Sequence, residues 1–362
     1  MRVLYIGNYD PGYGRNRVIV KGLAQNGAEV VQCNGGVTGG LMKFIRLIAR
    51  YATRARGRFD IVIVAFPAQE SMFLVRLLLT YRRLIHRVPI VIDMLTSHYE
   101  GYILDRQKYT PESMHAVWYK WIDRTAMQLA DISIVDSHAA RRFLAKEMRM
   151  PIEDIIAVFI GTDDSVLKPM PSDGHSGFLV HFHGNFIPLQ GPSYIIEAAN
   201  FLKHDLDIRF QIIGKGQLYD ECRNAAKEYG LTNINWIDRI PYEDLPRYIN
   251  AADVCLGTFG GTGKFHRCAP NKVYEYMACG KAIITGRSDA LEKISNDGVN
   301  MVLCNAADGK DMADKIMLLK QDDALRARLG GRARQEFLDR YNPKQLMGHL
   351  LQELRDKQLL SL

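Results

Sequence analysis

Short apolar runs and longer mixed segments alternate along the whole chain. RVLYIG (2–7), AEVVQC (28–33), DIVIVAF (60–66), VPIVIDM (88–94), DISIVD (131–136) and IIAVFIG (155–161) are brief, and most are nearly continuous in apolar residues. Such runs predict parallel strands covered on both faces. Segments such as 41–56 and 112–130 lie between several of them, as β-α-β crossovers require. LKPMPSDGHSG (167–177) has neither helical nor strand period and reads as a linker. The alternation then restarts, with strands at 178–184, 208–214, 234–238, 253–259, 281–286 and 300–305. Helices are predicted at 192–203, 217–229, 243–251, 271–279, 288–295 and from 309 to 339. The pattern therefore predicts an α/β chain of two tandem Rossmann-like domains, an N-terminal one over 1–168 and a C-terminal one over 172–342. The amphipathic segment 343–362 closes the chain and is free, on sequence, to join either. Ligands of open parallel sheets bind outside the carboxyl ends of the strands, which puts the expected site in a cleft between two facing domains.

Composition agrees with two cores. The chain has 362 residues, 47% of them apolar and 24% charged, and no apolar run reaches the ~18 residues of a membrane span. The start, MRVLYIGNYDPG, meets Gly and Pro too soon for a signal peptide and reads as a first strand. The six cysteines are scattered without a C-x-x-C pair, which argues for thiols in a reducing cytoplasm rather than a zinc cluster or a disulfide framework. Charge changes the picture more. Residues 1–90 hold 14 Lys and Arg against 4 Asp and Glu, whereas the whole chain carries only +7. An anionic partner for the first half is expected. Segments 41–58 and 74–87 interleave Arg and Lys with large apolar residues, as suits the interface of an anionic membrane; two ordinary packing helices with cationic faces are the alternative. Nucleic acid fits less well, since no binding module accompanies the charge.

The stretch APNKVYEYMACGKAII (269–284) carries the most specific chemistry. It reads as a buried helix running into a buried strand, yet Lys272 and Glu275 sit in it three residues apart. The preceding loop holds Gly260, Gly261 and Gly263 with Lys264 and Arg267. Backbone N–H groups at a helix start near Asn271, with Lys264, Arg267 and Lys272 around them, suit a phosphate. A carboxylate at Glu275, one turn in, can accept from a ribose diol. The plain alternative is a surface (i, i+3) ion pair. In the first half, GYGR places Gly12, Gly14 and Arg15 after the first strand, a weak signal because glycine loops also close ordinary turns. The loop after 88–94 supplies Asp93 and His98 at the carboxyl end of a central strand. The single D-x-D, at 205–207, falls in a helix–strand connection where solvated carboxylates are ordinary, and no metal or other cofactor is expected.

PNKVYEYMACGKAIITG resembles the nucleotide-sugar-binding segment of family-four glycosyltransferases, retaining enzymes of the two-Rossmann-domain GT-B fold. YDPGYGRN looks like that family's first glycine loop, and HFHGNFIPLQGPSYIIEAA, which contains Gly184, like the opening of its second domain. IIGKGQLYDEC…, which contains Lys215, resembles the middle of that domain. The likeness runs from about 1 to 340 and is loose between 35 and 125, where these enzymes bind acceptors. It implies a nucleoside-diphosphate sugar as donor, a glycan or lipid-linked acceptor, and transfer with retention, independent of metal. Lys215, Lys264, Arg267 and Lys272 would stabilise the leaving diphosphate, with Gly12, Gly14 and Arg15 beside it. His98 would hold the transferred sugar, and Asp93 would orient His98, bind an acceptor hydroxyl or cap a helix. The implied location is cytoplasmic, peripheral at the inner membrane face. Two departures matter: Arg267 stands where the family carries its first glutamate, and Asn185 and Gln190 replace two diphosphate cations. They keep open a non-catalytic partner subunit, beside an epimerase or phosphorylase of the same fold. GNYDPGYG does not match the G-x-G-x-x-G of a nicotinamide dehydrogenase.

Overall fold

A computed structural model describes residues 1–85, 87–172 and 174–360, with the side chains of 81–85 outside that description. The chain divides into one unit of Met1–Asp163 with Asn342–Leu362 and a second of Asp164–Tyr341.

In the first unit, strands β1 (Arg2–Gly7), β2 (Glu29–Asn34), β3 (Ile61–Val64), β4 (Ile90–Asp93), β5 (Ile132–Val135) and β6 (Ile155–Ala157) pair in parallel in the order 2-1-3-4-5-6. Every residue of β3, β4 and β5 is buried, which is why those runs lack polar alternation. Helices α1 (Gly14–Gln25), α2 (Met42–Arg54), α3 (Gln69–Ile85), α4 (Met114–Leu129) and α5 (His138–Met148) supply the crossovers. The last helix of the chain, Pro343–Asp356, packs on α1. Its apolar stripe Leu346, Met347, Leu350, Leu351 and Leu354 is buried. A Cβ at Gly22 would lie 2.1 Å from the carbonyl oxygen of Pro343, so the two backbones meet where only glycine fits.

The second unit repeats the plan with β7 (Phe178–His183), β8 (Ile208–Ile213), β9 (Ile234–Ile237), β10 (Val254–Leu256), β11 (Ala282–Gly286) and β12 (Val302–Cys304), in the order 12-11-10-7-8-9, all parallel. Helices α6 (Pro192–Phe201), α7 (Tyr219–Glu228), α8 (Leu245–Ala251), α9 (Asn271–Cys279), α10 (Gly309–Gln321) and α11 (Asp323–Glu336) cover it; the closing helix 343–356 is then α12. One predicted helix does not form. Over 288–295 only a 3-10 turn, Asp289–Leu291, appears. The Ala290 N–H leaves the helical pattern to bond the His266 carbonyl at 2.8 Å, tying this segment to the loop before α9. Asp205 and Asp207, the D-x-D pair, both face the Lys320 ammonium, at 2.6 and 3.6 Å.

Candidate functional site

Helix α9 starts at Asn271 after Pro270 and ends at Gly280, whose φ of 69° supplies the left-handed stop. From Lys272 to Cys279 every residue is buried, so the two charges of the motif are no surface pair. Lys272 is 4% and Glu275 7% exposed. Burying charge is costly unless it is met by partners, so what meets these two is informative.

The Lys272 ammonium lies 3.8 Å from the centre of the Phe182 ring and donates to Gln190 Oε1 at 2.9 Å. Burial pulls its pKa well down, against the pull of Glu275. Gly184 makes the seat possible. A Cβ there would stand 2.2 Å from Gln190 Oε1 and 2.7 Å from Lys272 Nζ. Gln190, at one of the two positions where the resemblance leads one to expect a cation, here holds a cation instead. Asn185, at the second such position, accepts from Arg239 at 3.4 Å.

Glu275 Oε2 is bonded to His183 Nε2 at 2.7 Å. His183 Nδ1 in turn meets His181 Nε2 at 2.9 Å, and His181 Nδ1 meets Gln211 Nε2 at 2.9 Å. Burial lowers the pKa of both imidazoles, with Glu275 opposing it at His183. The Tyr276 ring stands edge-on to both. The hydrogen-bond chain escaped the sequence reading. Its one signal was HFH at 181–183, since residues two apart on a strand share a face; the third partner, Gln211, lies on another strand.

The other cations of this unit are arranged differently. Lys264 is buried along its stem, and no ion pair or hydrogen bond of its ammonium is formed among the described residues. Arg267 folds toward Gly263, where a Cβ would lie 3.0 Å from its Nη1. Lys215 is half exposed and pairs with Asp238 at 2.8 Å, an arrangement worth little in water. Lys272, Glu275, Gly184 and Asn271 are thus brought together at the start of α9, Lys264 and Arg267 belong to the loop leading into it, and Lys215 is turned to a partner of its own.

In the first unit, Arg15 and Asp93 find each other. Both side chains are fully buried, with Nε–Oδ2 at 3.0 Å and Nη2–Oδ1 at 3.3 Å, and Arg15 Nη1 donates to the carbonyls of Val158 and Phe159 at 2.7 and 3.0 Å. Burial disfavours the guanidinium charge, but Asp93, with smaller help from Asp136 and Tyr5, more than offsets this, and Arg15 holds its proton more tightly than usual. This corrects the expectation of Arg15 as a diphosphate ligand: its guanidinium ties α1 to the ends of β4 and β6. The Asp93 carboxylate is engaged by it, and among the described residues no hydrogen bond joins it to His98. The backbone at His98 is held by Asp123, whose carboxylate accepts from the N–H groups of His98 and Tyr99 at 3.0 and 2.9 Å. Burial pushes the Asp123 carboxyl up to about 7. Among the described residues, His98 Nδ1 is buried without a hydrogen-bond partner, as is Gln69 Oε1 in the same unit. A π-helical turn, Tyr99–Asp105, follows His98; such turns concentrate at functional sites. Gly12 lies in an exposed turn, its N–H bonded to Asp10 Oδ1 at 2.8 Å, and Gly14 opens α1.

Residues 174–336 match the model of a family described as glycosyl transferases group 1. An uncharacterized glycosyltransferase of Methanocaldococcus jannaschii is 28% identical over 204 residues, 56% of this chain and 54% of that protein. The chain spans about half the length of the curated relatives it matches. Among solved structures, HepE of Anabaena, determined in complex with UDP-glucose, is similar with a TM-score of 0.70 at 16% identity, over 98% of this chain and 100% of that one. Sucrose-phosphate synthase from Thermosynechococcus elongatus gives 0.69 at 16%, over 98% and 99%. The likeness shows the fold expected from the strand–helix alternation: two parallel six-stranded sheets clad in helices, the GT-B fold.

Proposed function

We propose that this chain, whose residues 174–336 match the group 1 glycosyl transferase model and whose fold is GT-B, transfers a sugar from a nucleoside diphosphate to an acceptor hydroxyl with retention of configuration. The observation that carries this reading is the start of α9. There a buried ammonium has, among the described residues, one hydrogen-bond acceptor for three donors. One turn on, a buried carboxylate has one oxygen bonded and the other without a partner among the described residues. The diphosphate would lie on the free N–H groups of α9 and on Lys272, with Lys264 and Arg267 adding charge from the loop; the ribose would meet Glu275 Oε1. These cations would carry the leaving-group charge that a metal ion carries elsewhere. UDP is the first candidate, since the similar HepE was determined with UDP-glucose. For the acceptor step, His98 on its Asp123-held loop is our candidate to hold the transferred sugar. Calorimetric titration of the protein with UDP, GDP and ADP tests this. One nucleotide should bind saturably below millimolar concentration; no binding to any of them would favour the non-catalytic partner subunit.

The acceptor reading includes an anionic membrane surface. Helix α4 turns Met114, Val117, Trp118 and Trp121 outward, at 50–79% exposure. Trp121 stacks on Trp118 and on Phe73 of α3, at 5.0 and 6.0 Å between ring centres. Leu41 at the start of α2 and Ile45 within it are also exposed. Large apolar side chains at i, i+3, i+4 and i+7 on the wet side of a helix invert the usual pattern, and Trp suits the headgroup level of a bilayer. The basic residues contribute less directly than segment 41–58 suggests. Arg46 and Arg50 donate to the carbonyls of Gly35, Thr38 and Asn34, and Lys43 pairs with Glu70, while Arg54 and Arg58 stay exposed. In segment 74–87, the side chains of Arg82 and Arg83 lie outside the description. The protein should co-sediment with phosphatidylglycerol vesicles and not with phosphatidylcholine ones, and Trp118→Glu with Trp121→Glu should abolish this. Equal recovery of wild type and variant removes the reading; a dimer lost in the variant assigns the face to a second copy.

A further inference from the structure

We infer that His183 is a positioning residue for Glu275, the last member of a one-directional hydrogen-bond relay that begins at Gln211 and presents the carboxylate to the hydroxyls of a ribose. This rests on the donor-site reading above and adds to it the residues that make the site selective for a ribonucleotide.

The direction of the relay follows from counting protons. Gln211 Nε2 has two hydrogens and two acceptors, the Tyr248 carbonyl at 3.3 Å and His181 Nδ1 at 2.9 Å. The opposite amide orientation would set two oxygens against each other, so Nε2 faces the carbonyl. His181 therefore accepts at Nδ1 and carries its proton on Nε2, which donates to His183 Nδ1 at 2.9 Å. His183 then carries its own proton on Nε2 and donates to Glu275 Oε2 at 2.7 Å. Each ring has a single proton and a single possible tautomer. Burial works in the same sense, lowering both imidazole pKa values and keeping the rings neutral.

The elements involved explain the rigidity. His181 and His183 lie two apart on β7, Gln211 on β8 and Glu275 on α9, so the relay crosses from sheet to helix. The β7–β8 register sets His181 directly beside Gln211. The imidazole bond fixes Oε2, and with it the carboxylate plane, while Oε1 has no partner among the described residues. A carboxylate already held by a neutral donor accepts a ligand hydroxyl without first losing a rotamer.

The test uses the full chain and two probes, UDP and 2′,3′-dideoxy-UDP, titrated calorimetrically into wild type, His183→Phe, His183→Gln and Glu275→Gln. His183→Phe should weaken UDP at least tenfold and leave the dideoxy nucleotide within twofold, as should Glu275→Gln. His183→Gln, which restores an N–H donor, should recover much of the UDP affinity. Equal weakening of both nucleotides in His183→Phe would mean a merely structural histidine and overturn the inference, as would no change in either. Wild type that binds neither nucleotide fails the donor-site reading itself. Independently of any variant, imidazole ¹⁵N–¹H correlation spectra should show both rings protonated on Nε2 alone; an Nδ1–H or doubly protonated His183 contradicts the relay.

Discussion

Lys272→Met should weaken UDP binding by roughly 30- to 5,000-fold, the range for truncating one side of a buried charge contact worth about 2–5 kcal/mol. Methionine keeps the volume of the stem on Phe182 and removes the ammonium. A surface lysine would cost far less, and the difference lies in burial: Lys272 is 4% exposed, with Gln190 as its acceptor. The same burial predicts a pH dependence. The free-state pKa of Lys272 is well below its ordinary value, and a bound diphosphate favours the protonated form. Binding in the wild type should therefore be strongest below that lowered pKa and decline as pH rises through it. Across the range in which the diphosphate keeps its full charge, the Lys272→Met variant should lack this decline. Calorimetry across that range reads both effects, and a variant that binds like wild type would remove Lys272 from the site.

Asp93→Ala should destabilise the first unit by about 3–5 kcal/mol, because it leaves the Arg15 guanidinium buried without its counter-charge. For a unit of this size that is a fall of about 6–20 °C in the thermal transition. The double variant Arg15→Met with Asp93→Leu should lose much less, since apolar pairs of similar volume often replace buried ion pairs at little cost. Calorimetric scans of the three proteins decide it. A single variant as stable as wild type would show that the pair does not hold the ends of β4 and β6 together.

These two substitutions also mark where the sequence could and could not be read. The strands were legible because both faces of each sheet are covered, which turns them into apolar runs; β3, β4 and β5 are buried throughout. The α9 motif was legible because all its parts lie within a dozen residues. Arg15 and Asp93 looked like separate candidates, a cation after a glycine loop and a carboxylate at a strand end, and nothing local tells that residues 78 apart satisfy each other. Asp123, which holds the His98 loop, is remote from it in the same way. The relay behind Glu275 needs three elements in register, so its histidines passed as part of a strand. The helix expected over 288–295 failed for a related reason, a backbone bond from Ala290 to the distant His266.

The central claim is that the start of α9 binds a nucleoside diphosphate through Lys272 and Glu275. A crystal structure of the protein with UDP tests it most directly. The account predicts diphosphate oxygens within hydrogen-bond distance of Lys272 Nζ and the N–H groups opening α9, and a ribose hydroxyl on Glu275 Oε1. Nucleotide bound elsewhere, with Lys272 still held only by Gln190, would contradict it.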